Sequence, residues 1–230
     1  MPVINAHNVS MSYEGKKVIE GISFSVNQGD CLLIAGENGS GKTTLLKALT
    51  GLKKIDSGSL ENNVKSSKVG YLPQQTEIQR DFPASVYEVV LSGAVGSLGF
   101  KPFYTKKEKK AASLAMKRLG IEELSRKCYH ELSGGQQQKV LLARSICASK
   151  TLIIMDEPTT GLDKIASEEF YTLIKELTDE GITVIMISHD ISSALSYSSH
   201  VLHLGEKKQL YFGTAGDYAL DFLKGGCDDK

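Results

Sequence analysis

Residues 3–34 carry apolar positions with a period near two. Val18, Ile22, Phe24 and Val26 largely alternate with polar neighbours, which predicts half-buried strands. Asn27-Gln28-Gly29-Asp30 reads as a turn, and Cys31-Leu32-Leu33-Ile34-Ala35 as an apolar strand. The period then lengthens, and Leu45-Leu46-Lys47-Ala48-Leu49 reads as helix. Asp56-Ser57-Gly58-Ser59 is expected to be a turn, and Val69-Gly70-Tyr71-Leu72 a short strand ended by Pro73. Between about 83 and 132 the pattern turns helical. Ser85-Val86-Tyr87-Glu88 and Thr105-Lys106-Lys107-Glu108 are capping boxes. Gly93, Gly96 and Gly99 are expected to break the first helix. The second keeps Ala112, Ala115, Met116 and Leu119 on one face and stops at Gly120. A third helix is expected over 136–149. The α/β rhythm then resumes. Leu152-Ile153-Ile154-Met155 and residues 182–187 read as buried parallel strands. An amphipathic helix over 164–180 separates them, with Ala166, Phe170, Leu173, Ile174 and Leu177 on one face. Asp190 can cap a short helix, and residues 201–204 and 209–212 suit a hairpin.

These elements predict an α/β fold with a mainly parallel sheet, an N-terminal antiparallel β subdomain and an inserted α-helical subdomain. The expected organisation is one domain over 1–224. Its α/β core occupies about 1–82 and 147–216, the helical insertion about 83–146, and 225–230 is expected to be a disordered tail.

Composition narrows the function. At 230 residues the chain can bury a real core. Its 27 basic and 27 acidic residues argue against wholesale nucleic-acid binding, so no nucleic-acid partner is expected. Cys31, Cys128, Cys147 and Cys227 form no C-x-x-C pair and read as reduced thiols of a cytosolic protein. No signal peptide is expected, and no apolar run nears the ~20 residues that span a bilayer. Any membrane role would then run through a partner. Lys101, Lys106, Lys107, Lys109 and Lys110 form a basic cluster, which reads as a solvated helix face or as a contact with a partner or lipid headgroups.

Between strand and helix lies Gly36-Glu37-Asn38-Gly39-Ser40-Gly41-Lys42-Thr43-Thr44, a match to G-x-x-x-x-G-K-[ST]. Its glycines let backbone N–H groups curl round phosphate oxygens, and the following helix adds the positive end of its dipole. Lys42 supplies a cation for the β/γ-phosphates, and Thr43 a hydroxyl for Mg²⁺. Asp156 and Glu157 end a buried strand, where α/β sheets bind ligands. There Asp156 can hold Mg²⁺, and Glu157 can orient and polarise the attacking water. His189 ends the next strand as a candidate γ-phosphate partner, and Gln74 could reach the metal or the water. Leu132-Ser133-Gly134-Gly135-Gln136 opens a helix with two glycines. It is either an ordinary N-cap or a cradle for a phosphate on another molecule. Tyr13 by itself reads as a half-buried strand aromatic.

Taken in order, these motifs resemble the ATP-binding subunits of ABC transporters over roughly residues 3–216. The resemblance makes residues 36–43 a Walker A motif, Gln74 the Q-loop glutamine and residues 132–136 the signature. Residues 152–156 become Walker B, Glu157 the catalytic glutamate, Thr160-Gly161-Leu162-Asp163 the D-loop and His189 the switch histidine. Gly161 stands where many members carry alanine. Tyr13 falls where the family stacks an aromatic on adenine, so weak selection for ATP over GTP is implied. Also implied is a head-to-tail dimer with ATP between Walker A of one copy and Ser133–Gln136 of the other. The further implied partners are a membrane permease, met near Gln74 and the helical insertion, and, through it, an extracytoplasmic solute-binding protein. The chain would sit at the cytoplasmic face of the membrane. The stretch from Asp81 and Phe82 to Gly93 is similar to zinc/manganese-type importers and less closely to iron-chelate and cobalamin importers. Zinc or manganese uptake is expected, with the ATPase of an iron-chelate or cobalamin-type importer, or a non-transport soluble ABC ATPase, as the alternatives. His200 and His203 fall on opposite strand faces and make poor joint ligands, so Mg²⁺ is the metal expected here.

Overall fold

A computed structural model describes residues 2–65, 68–74, 83–99 and 102–223. Asp81, Phe82, Lys101 and the tail 225–230 lie outside the described residues.

Strands β1 (Ile4–Tyr13) and β2 (Lys16–Val26) pair antiparallel, and β3 (Cys31–Gly36) leads into helix α1 (Lys42–Leu49). Strand β4 (Ser57–Asn62) then completes a three-stranded sheet in the order β2-β1-β4. The sequence reads residues 56–59 as a turn, and this is corrected. The segment pairs from Ser57↔Ser10 to Asn62↔Ile4. It is an edge strand with most residues exposed, so it lacks the apolar alternation that marks half-buried strands. Gly58 has a structural reason to be there: a Cβ would lie 2.2 Å from the carbonyl oxygen of Asn8, where β1 is irregular.

Strand β5 (Val69–Leu72) is followed by the helices α2 (Val86–Ser92), α3 (Val95–Leu98), α4 (Lys106–Arg118) and α5 (Gly134–Ala148). Capping boxes at Ser85, Thr105 and Ser133 start α2, α4 and α5. Gly93 ends α2 in a right-handed helical conformation, and α3 runs through Gly96; of the three glycines expected to break the helix, only Gly99 has a positive φ, 58°. Gly93 serves packing: a Cβ would stand 2.1 Å from the Arg144 carbonyl oxygen of α5.

The chain closes with β6 (Leu152–Asp156), α6 (Lys164–Asp179), β7 (Thr183–Ile187), α7 (Ile191–Leu195), β8 (His200–Gly205), β9 (Lys208–Thr214) and α8 (Ala215–Tyr218). The main sheet runs β5-β6-β7-β3-β8-β9, parallel except for the β8–β9 hairpin. Its central strands are buried on both faces, so successive residues enter different cores. Leu33, Ala35, Ile153 and Met186 pack with α2, α4, α5 and α6. Leu32, Ile34, Ile154 and Ile185 pack with α1 and the antiparallel sheet. Parallel strands in one register deliver their carboxyl ends to one edge. Asp156 pairs with Ile187, Ile34 with Ile187, and Leu72 with Met155.

Candidate functional site

The loop between β3 and α1 can hold only glycine at two turns. Gly36 has φ 140°, and a Cβ there would meet the Leu204 carbonyl oxygen at 2.1 Å; Gly41 has φ 101° and would meet Ile19 Cγ1 at 2.7 Å. The first-turn N–H groups of α1 have no intrahelical acceptor, and Gly41 at the N-cap offers no side chain to replace one. Lys42 is buried and folds back, donating from Nζ to the carbonyl oxygens of Gly36 and Glu37, both at 2.8 Å. Burial lowers its pKa, against the pull of Glu157 and Asp156. The buried Ser40 hydroxyl has no hydrogen-bond partner among the described residues. Asn38, Gly39, Lys42, Thr43 and Thr44 line a pocket of about 300 Å³ with Tyr13 and Glu157 at its walls. Tyr13 is more exposed than a half-buried strand aromatic, at 50%, and Lys47 and Lys53 Nζ each lie 5.9 Å from its ring centroid.

Sheet register brings the acidic pair to this pocket. Asp156 is buried, and its pKa is raised by burial first and by the charge of Glu157 second, with Lys42, His189 and Lys47 opposing. Glu157 adopts φ 50°, a costly conformation for a non-glycine residue, fixed by its N–H donating to the Ile187 carbonyl oxygen at 3.1 Å. Gln74 and Glu157 each lie two residues beyond the Leu72↔Met155 pair, and Gln74 Nε2 donates to Glu157 Oε2 at 2.8 Å. Thr160 Oγ1 donates to the same oxygen at 3.2 Å, and His189 Nε2 lies 2.6 Å from Oε1. The side chains of Gln74, Glu157 and His189, distant in sequence, thus form one hydrogen-bonded cluster.

The second glycine stretch opens α5. Ser133 Oγ accepts from Gln136 N, and Gln136 Oε1 accepts from Ser133 N, a reciprocal cap. A Cβ on Gly134 or Gly135 would meet only ordinary contacts, Leu162 Cδ2 or Ala166 Cβ at 3.5 Å. Asp163 caps α6 through Ala166 N at 2.8 Å. Residues 133–136 and Asp163 line one cavity of about 310 Å³ that shares no residue with the first pocket. Within one chain the expected site residues therefore form two separate groups. His200 and His203 have different neighbours: His200 Nδ1 is 3.0 Å from Ser199 Oγ, and His203 Nδ1 is 3.1 Å from the Tyr218 hydroxyl.

Sequence reasoning missed two parts. Thr160 was read only within the D-loop, although its spacing of three from Glu157 permits the contact made. Behind the site, the buried Tyr171 hydroxyl is 3.2 Å from Thr159 Oγ1 and 3.0 Å from Ser188 Oγ, joining the loops after β6 and β7. Nothing in the amphipathic pattern of α6 distinguishes this hydroxyl from an ordinary core tyrosine.

A glycine loop between strand and helix, with an acidic pair at the end of β6 two strands away in the same sheet, defines a P-loop nucleoside triphosphatase. The chain belongs to the ABC transporter family, whose model matches residues 19–160. It is 34% identical over 226 residues to the manganese transport system ATP-binding protein MntB of Bacillus subtilis, covering 96% of this chain and 90% of that protein. It is 34% identical to the zinc uptake system ATP-binding protein ZurA of Listeria innocua, covering 94% and 87%. Among solved structures, a metal-chelate type ABC transporter in an inward-facing conformation matches with a TM-score of 0.85 at 27% identity, over 94% of this chain and 85% of that one. A nucleotide-free ATP-binding cassette matches with a TM-score of 0.84 at 26% identity, over 97% and 96%. The chain is thus the ATP-binding and ATP-hydrolysing subunit of an ABC importer, and its hydrolysis is coupled to transport.

Proposed function

We propose that this chain powers uptake of a metal ion, zinc or manganese, through a membrane permease supplied by a solute-binding protein. It would lie peripherally at the cytoplasmic face; no helix among the described residues is long and apolar enough to cross a membrane. The cargo assignment rests on the names of relatives that transport manganese or zinc, and on the 81–93 stretch as far as it is described. Another relative, 32% identical, serves chelated iron in Yersinia pestis, so the test must separate the three metals.

The observation that carries the catalytic reading is the Glu157 carboxylate, held by Gln74, Thr160 and His189 at the wall of the Lys42 pocket. ATP phosphates would replace the Gly36 and Glu37 carbonyls as partners of Lys42 and give the Ser40 hydroxyl the partner it lacks. Asn38, Gly39, Gly41 and Thr44 would shape the cradle, and Tyr13 would stack on the base. Mg²⁺ fits the donors: Thr43, Gln74 and Asp156 offer hard oxygens, and the raised pKa of Asp156 marks a buried carboxylate short of positive charge. When bound, Mg²⁺ would neutralise the β- and γ-phosphate oxygens. Glu157 would accept a proton as water attacks the γ-phosphorus and the bond to the bridging oxygen breaks. His189, with its proton on Nε2, would hold the γ-phosphate.

Gly134 and Gly135 have room for a Cβ within their own chain. Their glycines therefore suit a ligand approaching from outside, the ATP held by a second copy. Ser133, Gln136 and Asp163 would complete that site, with residues 83–146 moving as the helical insertion. ATP binds the closed pair better, and hydrolysis reopens it.

Cells lacking this chain are expected to lose zinc or manganese accumulation while iron uptake stays normal. Glu157→Gln should fail to restore uptake while still binding ATP, with hydrolysis reduced at least ~100-fold. Selective loss of iron would overturn the cargo; wild-type hydrolysis by Glu157→Gln would overturn the catalytic assignment.

A further inference from the structure

Helix α4 concentrates charge in an otherwise balanced chain. Between Pro102 and Arg118 there are six basic residues and one acidic, Glu108, whereas the whole chain balances 27 against 27. The rest of the molecule is acidic by the same margin of five. Glu108 is buried and tied to Thr105 in the capping box, so it does not offset the outer face.

The helix buries Ala112, Ala115 and Met116. Opposite them, Lys106, Lys110 and Lys117 line one exposed stripe, with Lys107 and Lys109 on its flanks. Among the described residues none of these five lysines has an ion-pair partner. This arrangement works against the isolated helix. Lys106 and Lys110 repel at i,i+4, and Lys106 and Lys107 sit in the first turn, where the helix dipole disfavours cations. A solvated face normally mixes both signs. A stripe of one sign, maintained at that cost, suits a polyanionic partner.

The loop entering α4 adds an apolar element. Tyr104 packs on the core, while Phe103 is 80% exposed; Leu114, on the lysine face, is 53% exposed. From Lys106 to Lys117 the stripe is about 16 Å long and straight. Straight, basic and flanked by an outward aromatic, it matches a flat anionic surface with an apolar interior better than the curved phosphate track of a nucleic acid. Membership of a transporter family brings such a surface within reach.

We propose that the outer face of α4, with Phe103, is a contact for anionic lipid headgroups at the membrane surface. This goes beyond the permease-mediated attachment read above and does not depend on the identity of the cargo.

The test is co-sedimentation of the purified full-length chain with phosphatidylcholine vesicles, with and without phosphatidylglycerol, at low and high salt. Binding is expected only to the anionic vesicles, and salt should weaken it. Lys106→Gln/Lys110→Gln should weaken it by about 20- to 30-fold, about fivefold per lysine. Lys106→Arg/Lys110→Arg should retain it. Phe103→Ser should abolish the fraction that survives high salt. Equal binding to neutral vesicles, no binding to either, unchanged binding by the glutamine variant, or equally strong binding to duplex DNA would overturn the proposal. None of these readouts uses ATP hydrolysis or metal uptake, so failure here leaves the transport reading standing.

Discussion

Three hydroxyls behind the site tie its loops together, and one half-buried imidazole makes the fold sensitive to pH. The Tyr171 hydroxyl joins Thr159 to Ser188, and so fixes the loop that carries Glu157 relative to the one that carries His189. Tyr171→Phe keeps the stacking on Tyr197, whose ring centroid lies 5.4 Å away, and removes only that link. It is expected to lower kcat for ATP about five- to tenfold, equivalent to one hydrogen bond of about 1 kcal/mol, with KM changed less than about twofold. Steady-state kinetics check this split; a rise in KM with unchanged kcat would mean the link serves binding. His203 titrates against the fold. Burial lowers its pKa first, with Lys42 adding to this and Glu37 opposing. The folded state therefore resists protonation where the unfolded chain accepts it. Stability is present above the ordinary imidazole range near ~6.5 and is lost as pH falls toward the depressed value. Urea melts at successive pH values should show this loss in the wild type, with a flatter profile for His203→Gln.

At the scale of elements, the glycines separate into those the fold needs and those it does not. Gly93→Ala would push a methyl against the Arg144 carbonyl oxygen and should cost about 1–3 kcal/mol, lowering Tm by several degrees. Gly134→Ala meets only ordinary contacts, so Tm should hold while ATP-dependent pairing of two copies is lost. Equal effects on Tm would remove the argument for an outside ligand at α5. From sequence these glycines look alike. Gly93 ends α2 without the left-handed turn of a breaking glycine, and Gly96 lies within α3; the reason for glycine at 93 is a neighbour about fifty residues away. The strand β4 was missed for a related reason: an edge strand with one partly buried apolar residue, Leu60, is specified by pairing with β1, not by its own pattern.

For the whole molecule, the proposed shared site makes one chain half of a working unit. In a Glu157→Gln background, which preserves bound ATP, Ser133→Arg should bind nucleotide normally and remain monomeric by gel filtration. ATP-dependent dimers of that variant would count against the shared site. The sequence alone determined the phosphate loop, the acidic pair, the capping boxes at Ser85 and Thr105 and the α/β alternation. All are local: neighbours along the chain set a strand's burial, a cap's hydrogen bonds and a loop's freedom to turn. Tertiary structure decided which distant residues meet. The register Leu72↔Met155 and Asp156↔Ile187 brings Gln74 and His189 onto Glu157, and packing of α6 places Tyr171 behind them. Packing of α4 against α2 and α5 buries Glu108 and leaves the lysines outside. Such contacts depend on how strands pair and helices pack, and no short stretch of sequence encodes that.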